Sequence, residues 1–198
     1  MRAIPSEKES IRFLKEAGCS DKVVRHCCVV RAAAVLLAER CGADVELVRA
    51  GALLHDIGRS RTHGIGHVAA SVEIARSIGL PDPLVRIIQR HIGAGLLTEE
   101  AEALDLPDGD YLPVTIEEKI VCHSDNLIDG DEITTLEDSV AYFESKGLHA
   151  AAKRMMAMSD EISTLLGERP DILLMKADPL SGLKDPCSAY VSPRYTRP

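Results

Sequence analysis

Leu53-Leu54-His55-Asp56-Ile57-Gly58-Arg59 closes an apolar run with two metal-binding side-chain types side by side. Consecutive helical residues lie about 100° apart, so an adjacent His and Asp both reach one ion only at the wall of a cavity. Gly58 then lets the chain turn away. An isolated His-Asp pair is common, and its weight depends on whether other helices deliver further ligands.

Upstream, a helix opening at Asp44 carries Val48, Gly51, Ala52 and His55 on one stripe, so His55 points inward. Before it, Val23, Cys27, Val30, Ala34, Leu37 and Cys41 alternate steps of four and three, which predicts a long amphipathic helix over Asp21 to Cys41. His26 lies within about 60° of Val23 and Val30 on that wheel, at the buried edge. Ser6 and Glu9 read as a capping box that opens a short helix to about Ala17.

Downstream, Arg59-Ser60-Arg61-Thr62-His63-Gly64-Ile65-Gly66 is a polar loop with two arginines. A helix over His67 to Ser77 puts His67, Ser71, Ile74 and Ile78 on one face. Pro81-Asp82-Pro83 restarts the chain, and Leu84, Ile87, Ile88 and His91 have i, i+3, i+4, i+7 spacing. His91 therefore sits on the apolar stripe, and Gly93 and Gly95 end the helix. Thr98 to Leu106 suggests a short helix, and Pro107-Asp108-Gly109-Asp110 a turn.

Thr115 and Glu118 form a second capping box before a helix to about Asp129. His123 and Asp125 lie about 200° apart on it, so they do not serve the same ion, and His123 is assigned to the core. Asn126 follows Asp125 and either orients it, touches substrate or, more simply, is a helix-surface amide. Helices are also expected over Thr135 to Lys146 and Leu148 to Leu166, the second rich in methionine. Beyond Gly167 the prolines break any long helix, so 1–166 reads as a helical domain and 167–198 as an irregular proline-containing tail or arm.

Composition narrows the function. The chain has 198 residues, enough for one domain with an appendage, and 3% aromatics, so its core must be Leu, Ile, Val, Ala and Met. That suits an all-α fold of closely packed helices. The formal charge of −8 argues against a broad nucleic-acid footprint, which needs clustered Lys and Arg. Six cysteines without a C-x-x-C pair read as reduced thiols. No apolar run approaches ~18 residues, so no membrane association is expected and a cytoplasmic protein is the default.

Each histidine alone is most simply a hydrogen-bonded core residue. Taken together they are harder to dismiss. His26, His55 with Asp56, His67, His91 and Asp125 arrive on different helices, and burying so many imidazoles and carboxylates is costly unless they are paired or hold a metal.

The order His26, His55-Asp56, Asp125 resembles the HD-domain superfamily of metal-dependent phosphohydrolases, and His55-Asp56-Ile57-Gly58 is similar to its HDIG subgroup. The resemblance covers about residues 20–130. It implies an HD-type helical bundle in which His26, His55, Asp56 and Asp125 hold one ion, Asp56 bridges, and His67 with His91 holds a second. Imidazoles with carboxylates suit Fe, Mn, Co, Ni or Zn better than Mg. The implied chemistry is attack of metal-bound hydroxide on phosphorus, in an enzyme that cleaves a phosphoester or phosphoanhydride of a small phosphorylated substrate such as a nucleotide.

Asp56 and Arg59 are the candidate catalytic pair. Arg59 and Arg61 are candidate phosphate clamps, although related domains often carry Lys at the Arg59 position. His63 competes with His67 for the ligand role, but Gly64 and Gly66 interrupt any helix through it, so His63 is placed as a substrate contact. Two other readings remain open: a non-catalytic metal- or nucleotide-binding regulatory module, and a di-iron oxygenase on the same fold. The methionine-rich helix and the tail are candidate surfaces for a homo-oligomer.

Overall fold

Helix α2 (Asp21–Cys41) is the axis on which the other elements are laid, and its two halves enter two different apolar clusters. The computed structural model describes residues 3–181. Ser20 caps α2 by accepting from the Val23 N–H, and Gly42 ends it in the left-handed conformation at φ 68°. At ~1.5 Å per residue its 21 residues span about 30 Å, the width of a small domain.

The N-terminal half of α2 packs Val23, Val24, Cys27 and Cys28 with Ile11 and Leu14 of α1 (Glu7–Glu16), with Leu53 and Leu54 of α3 (Val45–Leu54), and with Leu84 and Ile88 of α5 (Asp82–Arg90). The C-terminal half packs Val30, Ala34 and Leu37 with Ile120 and Val121 of α7 (Ile116–Asn126) and with Met155 and Ile162 of α9 (His149–Leu166). Burying each large aliphatic side chain contributes ~1.5–3 kcal/mol, so these clusters are what hold the helices in register. Between α3 and α5 the chain makes a 3-10 turn (Ile57–Ser60) and α4 (His67–Ser77), and after α5 comes the short α6 (Thr98–Ala103).

The expected caps are present. Ser6 and Glu9, and Thr115 and Glu118, are reciprocal capping boxes. Glu118 does more than cap: buried, it accepts two bonds from Arg90 Nη1, at 3.1 and 2.8 Å. Arg90 also reaches Asp110 Oδ2 at 3.0 Å, which ties α5, α7 and the loop before α7 together.

Two elements differ from the expectation. The helix ending near Asp129 stops instead at Asn126, and a two-residue-per-strand hairpin follows, β1 (Ile128–Asp129) and β2 (Glu132–Ile133), with Ile128 opposite Ile133. The stretch expected as an irregular arm begins with a helix, α10 (Pro170–Ala177), whose Leu173 and Leu174 enter the same core as α2 and α9. α8 (Leu136–Ser145) lies between the hairpin and α9. The remainder of the 167–198 tail, from 182 on, lies outside the described residues. Among the described residues Cys19, Cys27, Cys41 and Cys122 are free thiols, and no helix is long and apolar enough to cross a membrane.

Candidate metal centre

Five helices and the 3-10 turn deliver the candidate ligands. His26 projects from the first turns of α2, His55 caps the C-terminus of α3, and Asp56 follows it at the entrance to the 3-10 turn. His67 opens α4, His91 caps the C-terminus of α5, and Asp125 stands in the last turn of α7. Ends of helices suit this task, because side chains there leave the bundle axis without breaking a regular ladder.

Asp56 is the centre of the arrangement. Its Oδ1 lies 3.1 Å from His67 Nε2 and 3.6 Å from His91 Nε2. Its Oδ2 lies 3.6 Å from His55 Nε2 and 3.9 Å from His26 Nε2. Asp125 Oδ1 accepts from His26 Nε2 at 2.9 Å and stands 3.4 Å from His55 Nε2. One ligand atom from each of His26, His55 and Asp125 lies within 4.8 Å of the other two, and the same holds for His55, Asp56 and His91. His55 thus belongs to both groups. All six candidate ligands named from the sequence meet at one place.

The tautomers of three rings are fixed by the main chain. Nδ1 of His55, His67 and His91 lies 2.7, 2.8 and 2.7 Å from the carbonyl oxygens of Ala52, Gly64 and Ile88. A carbonyl only accepts, so each Nδ1 carries a proton and each ring directs its Nε2 toward Asp56, as a lone pair whenever that nitrogen is deprotonated. Nε2 of His67 and Nε2 of His91 are 3.3 Å apart, facing each other beside Asp56 Oδ1. His55 Nε2 and Asp56 Oδ1 are buried without a hydrogen-bond partner. Converging imidazole nitrogens and a buried carboxylate oxygen without a partner are what a divalent cation satisfies, so the donor set fits a metal.

Charge follows the same geometry. Burial pushes the His55 imidazole down, but the Asp125 and Asp56 carboxylates outweigh it and raise its pKa to about 9. Burial likewise acts to raise both carboxyls, yet His55 and the neighbouring rings hold Asp56 and Asp125 far below the usual carboxylate range. Burial pushes His91 down, against the opposing pull of the Asp56 carboxylate.

Gly58 makes the turn possible. A Cβ there would stand 2.1 Å from the His67 carbonyl oxygen and 2.7 Å from Ser71 Oγ, the group that accepts the Gly58 N–H at 2.8 Å. The glycine lets the chain after Asp56 lie against α4, which brings His67 to Asp56.

A cavity of about 970 Å³ opens in front of the centre, lined by His26, Asp56, Arg59 and His63 among others. Arg59 contacts Asp56 Oδ2 through Nε and donates from Nη1 to the His63 carbonyl at 3.3 Å. Arg61 goes elsewhere. It pairs with Glu73 at 2.8 Å, half-exposed, and is not in the cavity wall. His123 is buried in the core with neither ring nitrogen bonded, apart from the ligand groups.

The sequence reading missed the outer wall of this cavity. Ser20, Asp21, Lys22 and Arg25 from the start of α2 and Asp129, Gly130 and Asp131 from the hairpin form it, with Arg25 joined to Asp131 at 2.6 Å. The Gly130-Asp131 dipeptide, flanked by Ile128 and Ile133, is the hairpin signal that finds the second half.

A family model described as HD domain matches residues 23–128. An uncharacterized protein of Methanocaldococcus jannaschii is 49% identical over 166 residues, which cover 80% of this chain and 98% of that protein. A tRNA (cytidine(56)-2'-O)-methyltransferase of Picrophilus torridus is 43% identical over 171 residues, 86% of this chain and 50% of that protein. The chain therefore spans about half the length of that relative. Among solved structures, the HD domain of the L. monocytogenes phosphodiesterase PgpH in complex with cyclic-di-AMP has a TM-score of 0.50 at 19% identity, over 80% of this chain and 96% of that one, which speaks to the fold alone.

Proposed function

This chain belongs to the HD-domain family, and from that premise we propose that it is a metal-dependent phosphohydrolase acting on a small phosphorylated substrate such as a nucleotide. The observation that carries the reading is Asp56, whose two oxygens face two different pairs of imidazoles at the back of an open cavity. We assign His26, His55, Asp56 and Asp125 to one ion and Asp56, His67 and His91 to a second. Fe, Mn, Co, Ni or Zn suits such donors. When bound, these ions supply an activated water and neutralise charge on the phosphoryl oxygens.

The chain's own residues set the conditions for that chemistry. Main-chain carbonyls hold three imidazoles with Nε2 inward. Arg59 balances the Asp56 carboxylate and, from the cavity wall, is placed to transfer its guanidinium to an incoming phosphate oxygen. His63, exposed on the same wall, contacts the substrate. Arg61, held by Glu73, has no part in this reading. The −8 charge favours a small ligand over extended nucleic acid.

A second reading is a metal-binding module without turnover, favoured by the 43% identity to half of a longer relative named for methyl transfer. One experiment separates the two: metal content per chain after purification without chelator, for wild type and His67→Ala, alongside hydrolysis of an aryl phosphomonoester and phosphodiester. Two equivalents falling to about one in the variant, with turnover, supports the hydrolase. Metal without turnover across a nucleotide panel supports the module, and no metal under any loading condition removes both.

A further inference from the structure

The turn that follows His91 is held by side chains at three consecutive carbonyls. The Gly93 carbonyl oxygen accepts from Asn126 Nδ2 and, at 3.1 Å, from Cys122 Sγ. The Ala94 and Gly95 carbonyls accept from Arg154 Nε and Nη2 at 3.4 and 2.9 Å. Gly93 and Gly95 take φ +55° and +78°, so the turn is a tight reversal that aims its carbonyls at α7 and α9. Carbonyl acceptors two to four residues past a ligand set the direction in which that ligand's helix ends.

Asn126 is the residue next to Asp125. The last turn of α7 therefore makes two connections at once, Asp125 to His26 and His55 on one side of Asp56, and Asn126 to the turn behind His91 on the other. Ser139 Oγ donates to the Asn126 carbonyl at 2.9 Å, which fixes the main chain from which both side chains leave. We propose that Asn126 is a positioning residue: its amide clamps the His91 turn to α7 and so sets the distance between the Asp125 and His91 sides of the centre. This rests on the two-ion assignment made above. The Asn126 amide bonds to the Gly93 carbonyl and Cys122 Sγ, with no hydrogen bond to Asp56 or an imidazole among the described residues, so its effect is through placement.

The test uses the full chain carrying Asn126→Asp, which keeps the shape but sets a carboxylate against a carbonyl, and Asn126→Ala, which leaves Cys122 as the remaining donor. Mn(II) is titrated into chelator-stripped protein and followed by electron paramagnetic resonance, and the ring nitrogen shifts of His91 are measured in the metal-free chain. Wild type is expected to take two ions with an exchange-coupled spectrum. Both variants should keep the first ion within ~3-fold while the second weakens about 10- to 100-fold, as for outer partners of metal ligands, and the coupled signal should fade. The His91 shifts should move in both variants while those of His26 do not.

Two ions at wild-type affinity with unchanged His91 shifts would overturn the proposal, as would equal weakening of both ions, which marks a general loss of structure. If wild type takes a single ion, the two-ion assignment fails. The metal-free His91 shifts then decide separately, and their failure to move removes the positioning role.

Discussion

Gly58 lies directly against the His67 carbonyl: a carbon added to the glycine would stand 2.1 Å from that oxygen and 2.4 Å from the Ser71 nitrogen. Both neighbours are main chain of α4, so no side-chain rotation relieves the clash. Overpacking ordinarily costs ~1–3 kcal/mol, and Gly58→Ala is expected at or above the upper end of that range. Urea denaturation measures it. The same variant should lose the ion assigned above to His67, because relief requires α4 to move away from Asp56. Wild-type stability with full metal content would show that the turn tolerates a side chain.

Metal affinity should depend on pH through His55. Burial lowers its pKa, but Asp125 and Asp56 raise it to about 9, so the metal-free ring is protonated at neutral pH and must release that proton to bind. Affinity for the ion that uses His55 is expected to rise about tenfold per pH unit between 7 and 9 and then level off. Calorimetry in buffers of different ionisation enthalpy reads the released proton directly. For the metal-free chain the sign reverses: the raised pKa contributes stability that is fully present below about 6.5 and is lost as pH rises through about 9. A flat affinity profile would exclude His55 as a ligand.

His123 should make the protein acid-sensitive. Burial pushes its pKa down to about 4, with the Asp171 charge opposing only in part, and neither nitrogen has a hydrogen-bond partner. A depressed imidazole pKa means that the unfolded chain takes up the proton first. Stability is therefore lost as pH falls from about 6.5 towards 4, by ~2 kcal/mol at pH 5. His123→Leu removes that dependence without leaving an unsatisfied group. Denaturation at pH 7 and pH 5 should show the variant losing less than wild type, and an equal loss would place the acid sensitivity elsewhere.

Glu118→Ala removes the carboxylate that receives Arg90 Nη1 and the Val114 N–H, the latter at 2.7 Å. Breaking a buried pair on one side costs ~3–5 kcal/mol, and the lower value is expected because Arg90 keeps Asp110. Chemical denaturation gives the cost. A loss under ~1 kcal/mol would mean that water replaces the carboxylate.

The helices and the convergence of the candidate ligands were legible in the sequence where periodicity and chemistry agree. Asp21–Cys41 and His67–Ser77 end where spacing and capping residues put them, and His55, His67 and His91 lie on apolar stripes because ligands of a buried centre must face inward. Other features have no local signature. Pro170 reads as a breaker, yet at the first position of α10 its missing N–H costs nothing and the helix starts there. Periodicity does not tell which arginine of a polar loop turns in, and Glu73, which takes Arg61, lies on the neighbouring helix. The hairpin is two residues a side, and its Arg25–Asp131 tie spans 106 residues of chain. The role of Asn126 is hidden because its acceptor is a backbone carbonyl 33 residues away.

The three acceptors that orient His55, His67 and His91 are carbonyls of Ala52, Gly64 and Ile88, each three residues before its ring. Many metal centres entrust this task to a carboxylate side chain, which one codon change deletes. Here the acceptor persists whatever side chain those three positions carry. Sequence drift around the centre can alter its fit but not remove the groups that aim its imidazoles, which makes the ligand geometry heritable with the helix ends themselves.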